Sequence, residues 1–174
     1  VYGVDTVSRR EYTLYVKDLR TGEVLEDRIP MTTGGATWAN DNKTLFYTKK
    51  DPVTLRSSQI YKHVLGTDVS EDVLVFEEKD ETFSCSVGKT KSEAYLVIAS
   101  YATVSTEYRF LDANTPNGEW KVIQKRERDL EYDISHYGDH FYIVTNRDAK
   151  NFKLVKTPVN ATSYDNWEDV LPHR

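Results

Sequence analysis

Cysteine is almost missing from this sequence of 174 residues: Cys85 stands alone, so no internal disulfide and no C-x-x-C ligand pair can form. Its place between Phe83 and Val87 in a strand predicts a small packed side chain rather than a reactive thiol. No metal and no other cofactor is expected. No apolar run approaches the roughly 18 residues a membrane span needs, and the N-terminus lacks the charged, apolar and small-residue order of a signal peptide. A cytoplasmic, reducing compartment is the expectation. The 23 basic residues are outnumbered by 28 acidic ones and are scattered, which argues against a nucleic-acid partner. Two Asn-x-Thr triplets, at Asn42 and Asn160, are of a kind that chance supplies, and neither is expected to carry a glycan.

Catalytic signatures are lacking too. There is no G-x-S-x-G string, and Ser84-Cys85-Ser86 lies inside a predicted strand rather than on a nucleophile turn. The four histidines, His63, His136, His140 and His173, read as surface or edge residues without a partner, because no nucleophile or orienting acid accompanies them in the chain.

What the chain has in quantity is aromatic residues, 12 Tyr, 6 Phe and 3 Trp, which favour pleated, half-buried surfaces. They fall in short alternating runs that repeat. The third strand of each repeat aligns at Leu19, Val64, Leu111 and Thr157, in steps of 45, 47 and 46 residues. A period of roughly 40 to 50 residues made only of strands points to propeller blades. The fold class expected is all-β: a partial β-propeller with about three complete four-stranded antiparallel blades and three strands of a preceding one. The divisions are a remnant at 1–30 and blades at 31–78, 79–126 and 127–174.

Turn chemistry marks the joints. Arg20-Thr21-Gly22-Glu23 is a tight hairpin with Gly22 free to take positive φ, and Asn40-Asp41-Asn42-Lys43 is a polar turn between inner strands. Asn117-Gly118, before the outer strand at 120–124, is the strongest two-residue hairpin signal, and Tyr137-Gly138-Asp139 divides the strands at 132–135 and 141–145. An arc of this size cannot close into a ring, so flanking blades are expected in a longer chain. The connections at 6–10, 49–58, 101–105 and 146–150 all follow second strands and share one rim with 31–35, 77–81 and 125–130. The 49–58 connection, with Asp51-Pro52 and few apolar anchors, reads as a mobile loop. The acidic run Glu77-Glu78-Lys79-Asp80-Glu81 reads as a solvated connection.

Several strings resemble the propeller of the prolyl oligopeptidase family of serine peptidases, its oligopeptidase B branch in particular. They are Trp38-Ala39-Asn40-Asp41-Asn42 with Leu45-Phe46-Tyr47, Asp51-Pro52-Val53-Thr54-Leu55, Tyr61 to Thr67, and Glu77 to Phe83, with Thr145-Asn146-Arg147 and Trp167-Glu168 continuing the match. The resemblance runs through essentially the whole chain. It implies a seven-bladed propeller capping an α/β-hydrolase domain that supplies the whole Ser-Asp-His triad, so no catalytic residue is expected here. It further implies short peptides cleaved after Lys or Arg as substrates of the parent protein, with the hydrolase domain as intramolecular partner.

Site residues carry over sparsely. Gly35, Phe83 and Ser84 occupy family positions near the substrate, Asp51 and Arg56 lie in the loop that aligns with a gate, and Arg147 sits on the same rim. Gly35 departs from the bulky residue of the proline-specific branch, which suits the basic-residue branch better. The competing reading from the residues alone is a freestanding β-rich scaffold that binds a protein or peptide on its loop-bearing rim.

Overall fold

The computed structural model describes residues 1–173. They form two compact units, Val1–Gly88 and the chain from Lys89 onward. Fourteen strands make up the fold, with two short 3-10 turns at Val69–Glu71 and Tyr164–Asn166. Among the described residues no helix is long and apolar enough to cross a membrane.

In the first unit the strands are β1 (Tyr2–Val4), β2 (Tyr12–Lys17), β3 (Val24–Trp38), β4 (Thr44–Lys50), β5 (Ser57–Val64) and β6 (Val73–Glu77). They build one antiparallel sheet in chain order, β1-β2-β3-β4-β5-β6. The sequence predicts one strand ending at Ile29 and another starting at Ala36; the structure runs a single 15-residue strand through both. The join is bent rather than flat. Met31 (φ 60°) and Gly34 (φ 92°) both take left-handed backbone, and the pairing with β4 slips between Thr32 and Ala36. Thr32 faces Tyr12 on one side and Lys49 on the other, so β3 leaves β2 and takes up β4 at this residue. Gly34 is required there, because a Cβ would come within 2.8 Å of the Tyr12 ring.

The remaining strands are β7 (Ser84–Lys89), β8 (Tyr95–Tyr101), β9 (Thr106–Asp112), β10 (Lys121–Val122), β11 (Tyr132–Tyr137), β12 (His140–Thr145), β13 (Lys153–Pro158) and β14 (Glu168–Leu171). They form two four-stranded antiparallel sheets, ordered β10-β9-β8-β7 and β11-β12-β13-β14. The β11–β12 hairpin closes at Gly138-Asp139, with Gly138 at φ 60° and Tyr137 opposite His140. Asn117-Gly118 behaves otherwise. Its outer strand shrinks to two residues, and the turn is held by Thr115 N–H to the Asp112 carbonyl and Gly118 N–H to the Thr115 carbonyl. Gly118 is needed for closeness, since a Cβ would lie 2.9 Å from the Leu111 side chain.

Alternation places the core. Along β8, Leu96, Ile98 and Ser100 point inward, and along β12 Phe141, Ile143 and Thr145 do. Each unit has its own apolar cluster: Leu14, Val16, Ile29, Leu45 and Tyr47 in the first, and Phe110, Ile123, Leu130, Tyr132, Phe141, Ile143 and Val155 in the second. Cys85 is fully buried, in keeping with its reading as a packed side chain. Phe141 packs edge-on against Phe110 at 5.0 Å between ring centroids. We therefore expect Phe141→Ala to cost about 3–5 kcal/mol in urea unfolding, whereas Leu19→Ala, at a side chain 90% exposed, changes stability by less than about 0.5 kcal/mol.

Candidate functional site

The loop between β4 and β5 is shorter and tighter than the sequence reading had it. Strand β4 continues to Lys50 and β5 begins at Ser57, leaving six connecting residues. Asp51 organises them: one carboxylate oxygen accepts from Val53 N–H at 2.9 Å, Thr54 N–H at 2.7 Å and the Thr54 hydroxyl at 3.0 Å. The Thr54 and Val53 N–H groups, followed by that hydroxyl, hold the Asp51 carboxyl below the usual carboxylate range. Backbone bonds from Asp51 N–H to the Arg56 carbonyl and from Leu55 N–H to the Asp51 carbonyl close the loop, with Leu55 at φ 59°. In place of a loose gate there is a knit turn.

Arg56 extends this order to the acidic connection. Its Nη1 donates to the Phe83 carbonyl at 2.8 Å and the Asp80 carbonyl at 3.2 Å, and its Nη2 to the Glu78 carbonyl at 3.1 Å. One planar guanidinium thereby fixes three carbonyls of a segment whose backbone bond to the sheet is from Glu78 N–H to the Ser58 carbonyl of β5. The segment is more structured than a solvated connection: Glu78 is buried, Glu78 Oε1 accepts from Asp80 N–H, and Phe83 N–H donates to the Asp80 carbonyl. Phe83 is buried, and Ser84, half-buried, opens β7. Arg56, Phe83 and Ser84 are thus brought together with Asp51. Gly35 lies exposed on β3, where a methyl group would meet no heavy atom within 4 Å, so the space a bulky residue would use is open.

Arg147 belongs to the second unit. Its Nη1 bonds Glu127 Oε2 at 3.2 Å, and its guanidinium lies over the Tyr164 ring, 4.2 Å from the centroid. Its own N–H is held by the Thr145 hydroxyl. The connection at 125–131 converges on the same place: Ser105 Oγ donates to the Glu127 carbonyl and Asn146 Nδ2 to the Asp129 carbonyl.

The histidine reading is overturned at His63. Far from an edge residue without a partner, it is 0% exposed and bonded at both ring nitrogens, to Asp27 and to Asp72. The acids are 36 and 9 residues away in the chain, which hid them from any local motif. His136 also has a partner, its Nδ1 lying 2.8 Å from Ser92 Oγ. His136 and His140, four apart, flank the β11–β12 turn, but among the described residues no group of three or more His, Cys, Asp or Glu could hold a metal ion.

Ser92 and His136 touch, but His136 Nε2 is buried with no hydrogen-bond partner, so no acid orients that ring; what the described residues offer is ordered loops. The chain matches the model of the prolyl oligopeptidase N-terminal β-propeller domain over residues 1–174. It is 43% identical over 174 residues to a dipeptidyl aminopeptidase BI of Pseudoxanthomonas mexicana and 36% identical over 154 residues to a protease 2 of Moraxella lacunata. The match covers 99% and 87% of this chain but 24% and 22% of those proteins, so the chain spans about a quarter of their length. It also superposes on oligopeptidase B from Leishmania major with a TM-score of 0.92 at 30% identity, covering 99% of this chain and 24% of that one.

If Arg56 holds the 78–83 segment, Arg56→Ala should free three carbonyls and cost about 1–3 kcal/mol in thermal or urea unfolding, with amide exchange rising between Glu78 and Phe83. Unchanged protection there would show that the segment holds itself. The match of the family model over residues 1–174 to a chain of antiparallel sheets places it in the N-terminal β-propeller domain family of the prolyl oligopeptidases.

Proposed function

We propose that the chain is the substrate-admitting part of a cytoplasmic serine oligopeptidase that cleaves short peptides after Lys or Arg. Its partner in this reading is an α/β-hydrolase domain of the same protein, which supplies the Ser-Asp-His triad. The observation that carries the proposal is the end-to-end superposition on oligopeptidase B at a TM-score of 0.92, supported by the 36% identity to protease 2. The physical logic is exclusion by size. A ring of blades over a nucleophile bars folded proteins and admits flexible peptides, and the order built into the loops keeps its opening narrow.

In this reading the units of the arc are a blade remnant at 1–30 and blades at 31–78, 79–126 and 127–174. Asp51 and Arg56 fix the gate loop and the acidic connection behind it, while Gly35, Phe83, Ser84 and Arg147 face the substrate path. The carboxylates of Glu77, Glu78, Asp80 and Glu81 give that connection a negative field that would attract cationic peptides. The 43% identity to a dipeptidyl aminopeptidase favours a second reading, in which the parent removes dipeptides from a free N-terminus.

Two substrates separate these readings when the full-length protein encoded by the same gene is assayed: an N-blocked Arg-Arg chromogenic peptide and a chromogenic dipeptide with a free amine. We expect the full-length protein to hydrolyse the blocked peptide and the purified 174-residue chain to hydrolyse neither. Turnover of the free-amine substrate alone favours the dipeptidase reading. Activity of the 174-residue chain itself, or a parent with no hydrolase domain, sinks the proposal and leaves a binding scaffold.

A further inference from the structure

His63 is buried in the first unit with a carboxylate at each ring nitrogen. Nδ1 lies 2.6 Å from Asp72 Oδ1, and Nε2 lies 2.9 Å from Asp27 Oδ1. A neutral imidazole has one N–H and one lone pair. It could satisfy one carboxylate only, and its lone pair would face the other. The imidazolium has two donors and satisfies both. The remaining bonds fit ionised acids, since Gly66 N–H donates to Asp27 Oδ1 at 2.6 Å and the Tyr47 hydroxyl to Asp72 Oδ2 at 2.8 Å.

These groups come from different pieces of chain. Asp27 is on β3, Tyr47 on β4 and His63 on β5, while Asp72 follows the Val69–Glu71 turn at the root of the edge strand β6. Between His63 and Asp72 the chain reverses through Gly66, at φ 85°, and the turn is capped by Asp68, which accepts from Ser70 N–H. A crevice of about 510 Å³ runs between Leu25–Arg28 of β3 and Leu65–Val69 of this turn. Leu65 and Val69 cover the core cluster from above. The bonds through His63, with Gly66 N–H to Asp27, tie the turn and Asp72 across to β3, while β6 itself pairs with β5.

We propose that Asp27, His63 and Asp72 form a proton-operated latch: while His63 carries both ring protons the 65–72 turn is held on β3, and loss of one proton loosens it. Burial alone would push the imidazole down, but the bonds and charges of Asp72 and Asp27 outweigh it and raise its pKa. Burial likewise pushes Asp27 up, and the Gly66 N–H and His63 more than offset this, leaving its carboxyl below the usual range. Because the folded pKa of His63 is raised, its contribution is complete below the ordinary imidazole value of 6.5 and is lost as pH climbs from there through the folded value. Asp27, with a lowered pKa, keeps the latch closed until pH falls below the ordinary value of 3.8. The latch therefore opens on the alkaline side.

Two measurements on this chain test it. In wild type, NMR should show His63 titrating above 6.5. Hydrogen exchange, corrected for the intrinsic rate at each pH, should show opening of residues 65–72 rising by up to about tenfold per pH unit over the interval between the two values and then levelling off. Strands β8 and β9 serve as the control that does not change. In Asp72→Asn the amide nitrogen can donate to a neutral Nδ1 while its oxygen still accepts from Tyr47, so the latch closes without the extra proton. That variant should lose the pH slope, with His63 titrating at or below its ordinary value. Titration of wild-type His63 at or below 6.5, opening that ignores pH, or an unchanged slope in Asp72→Asn each overturns the latch. If the variant fails to fold, the wild-type titration decides alone.

Discussion

Antiparallel strands turn successive side chains to opposite faces, so β8 and β12 bury mainly alternate residues, while the central β4 buries Thr44 to Thr48 in succession. The four-residue β14 is exposed along its whole length and buries nothing, while β12 gives Phe141 and Ile143, a pair, to the core. The apolar contribution must come from many such pairs. In the second unit it comes from Phe110, Ile123, Tyr132, Phe141, Ile143 and Val155, drawn from both sheets and their links. Aromatic residues supply most of that volume, and Tyr132 adds a polar tip, donating to the Gln124 carbonyl at 2.6 Å and accepting from Tyr108 N–H at 2.9 Å.

Sheets this narrow leave their connections with little to hold on to. The chain secures them with charge. Arg56 gathers the carbonyls of residues 78, 80 and 83, His63 joins the 65–72 turn to β3, and in the second unit the buried Glu107 bonds Arg109, the Arg126 side chain and the Arg126 N–H. Buried charges are costly unless every one is answered, and removing one partner of such a pair typically costs about 3–5 kcal/mol. The cost is also what makes the arrangement specific. Each network accepts one geometry of the connection and penalises the others, which apolar contacts of a few methyl groups would not do.

The legible part of the fold was whatever lies in local patterning. Gly22 and Gly138 take the positive φ their turns demand, and the turn at 137–139 separates β11 from β12 as the sequence reads it. The strand break expected near residue 30 failed because the bend at Met31 and Gly34 is compatible with continued pairing: Thr32 finds a partner on either side. Asn117-Gly118 misled for a related reason, since Gly118 is there to let Leu111 approach and not to take positive φ. In the candidate site, the sequence reads the Asp51 turn as a mobile loop, and neither its internal bonds nor the reach of Arg56 over 22 to 27 positions was legible. His63 was unreadable on the same ground.

The residues that organise the first unit's connections thus differ in kind from those that build its core. Leu14, Ile29 and Leu45 could exchange with other apolar side chains of similar volume at modest cost. Arg56 and His63 could not, because each meets two or more fixed acceptors at once, and no other side chain presents the same donors in the same plane. Connections where apolar burial is thin need such anchors. The polar contacts of these connections are in this sense the structural counterpart of the core, and a change of one proton or one side chain there would alter the geometry of the connection it holds.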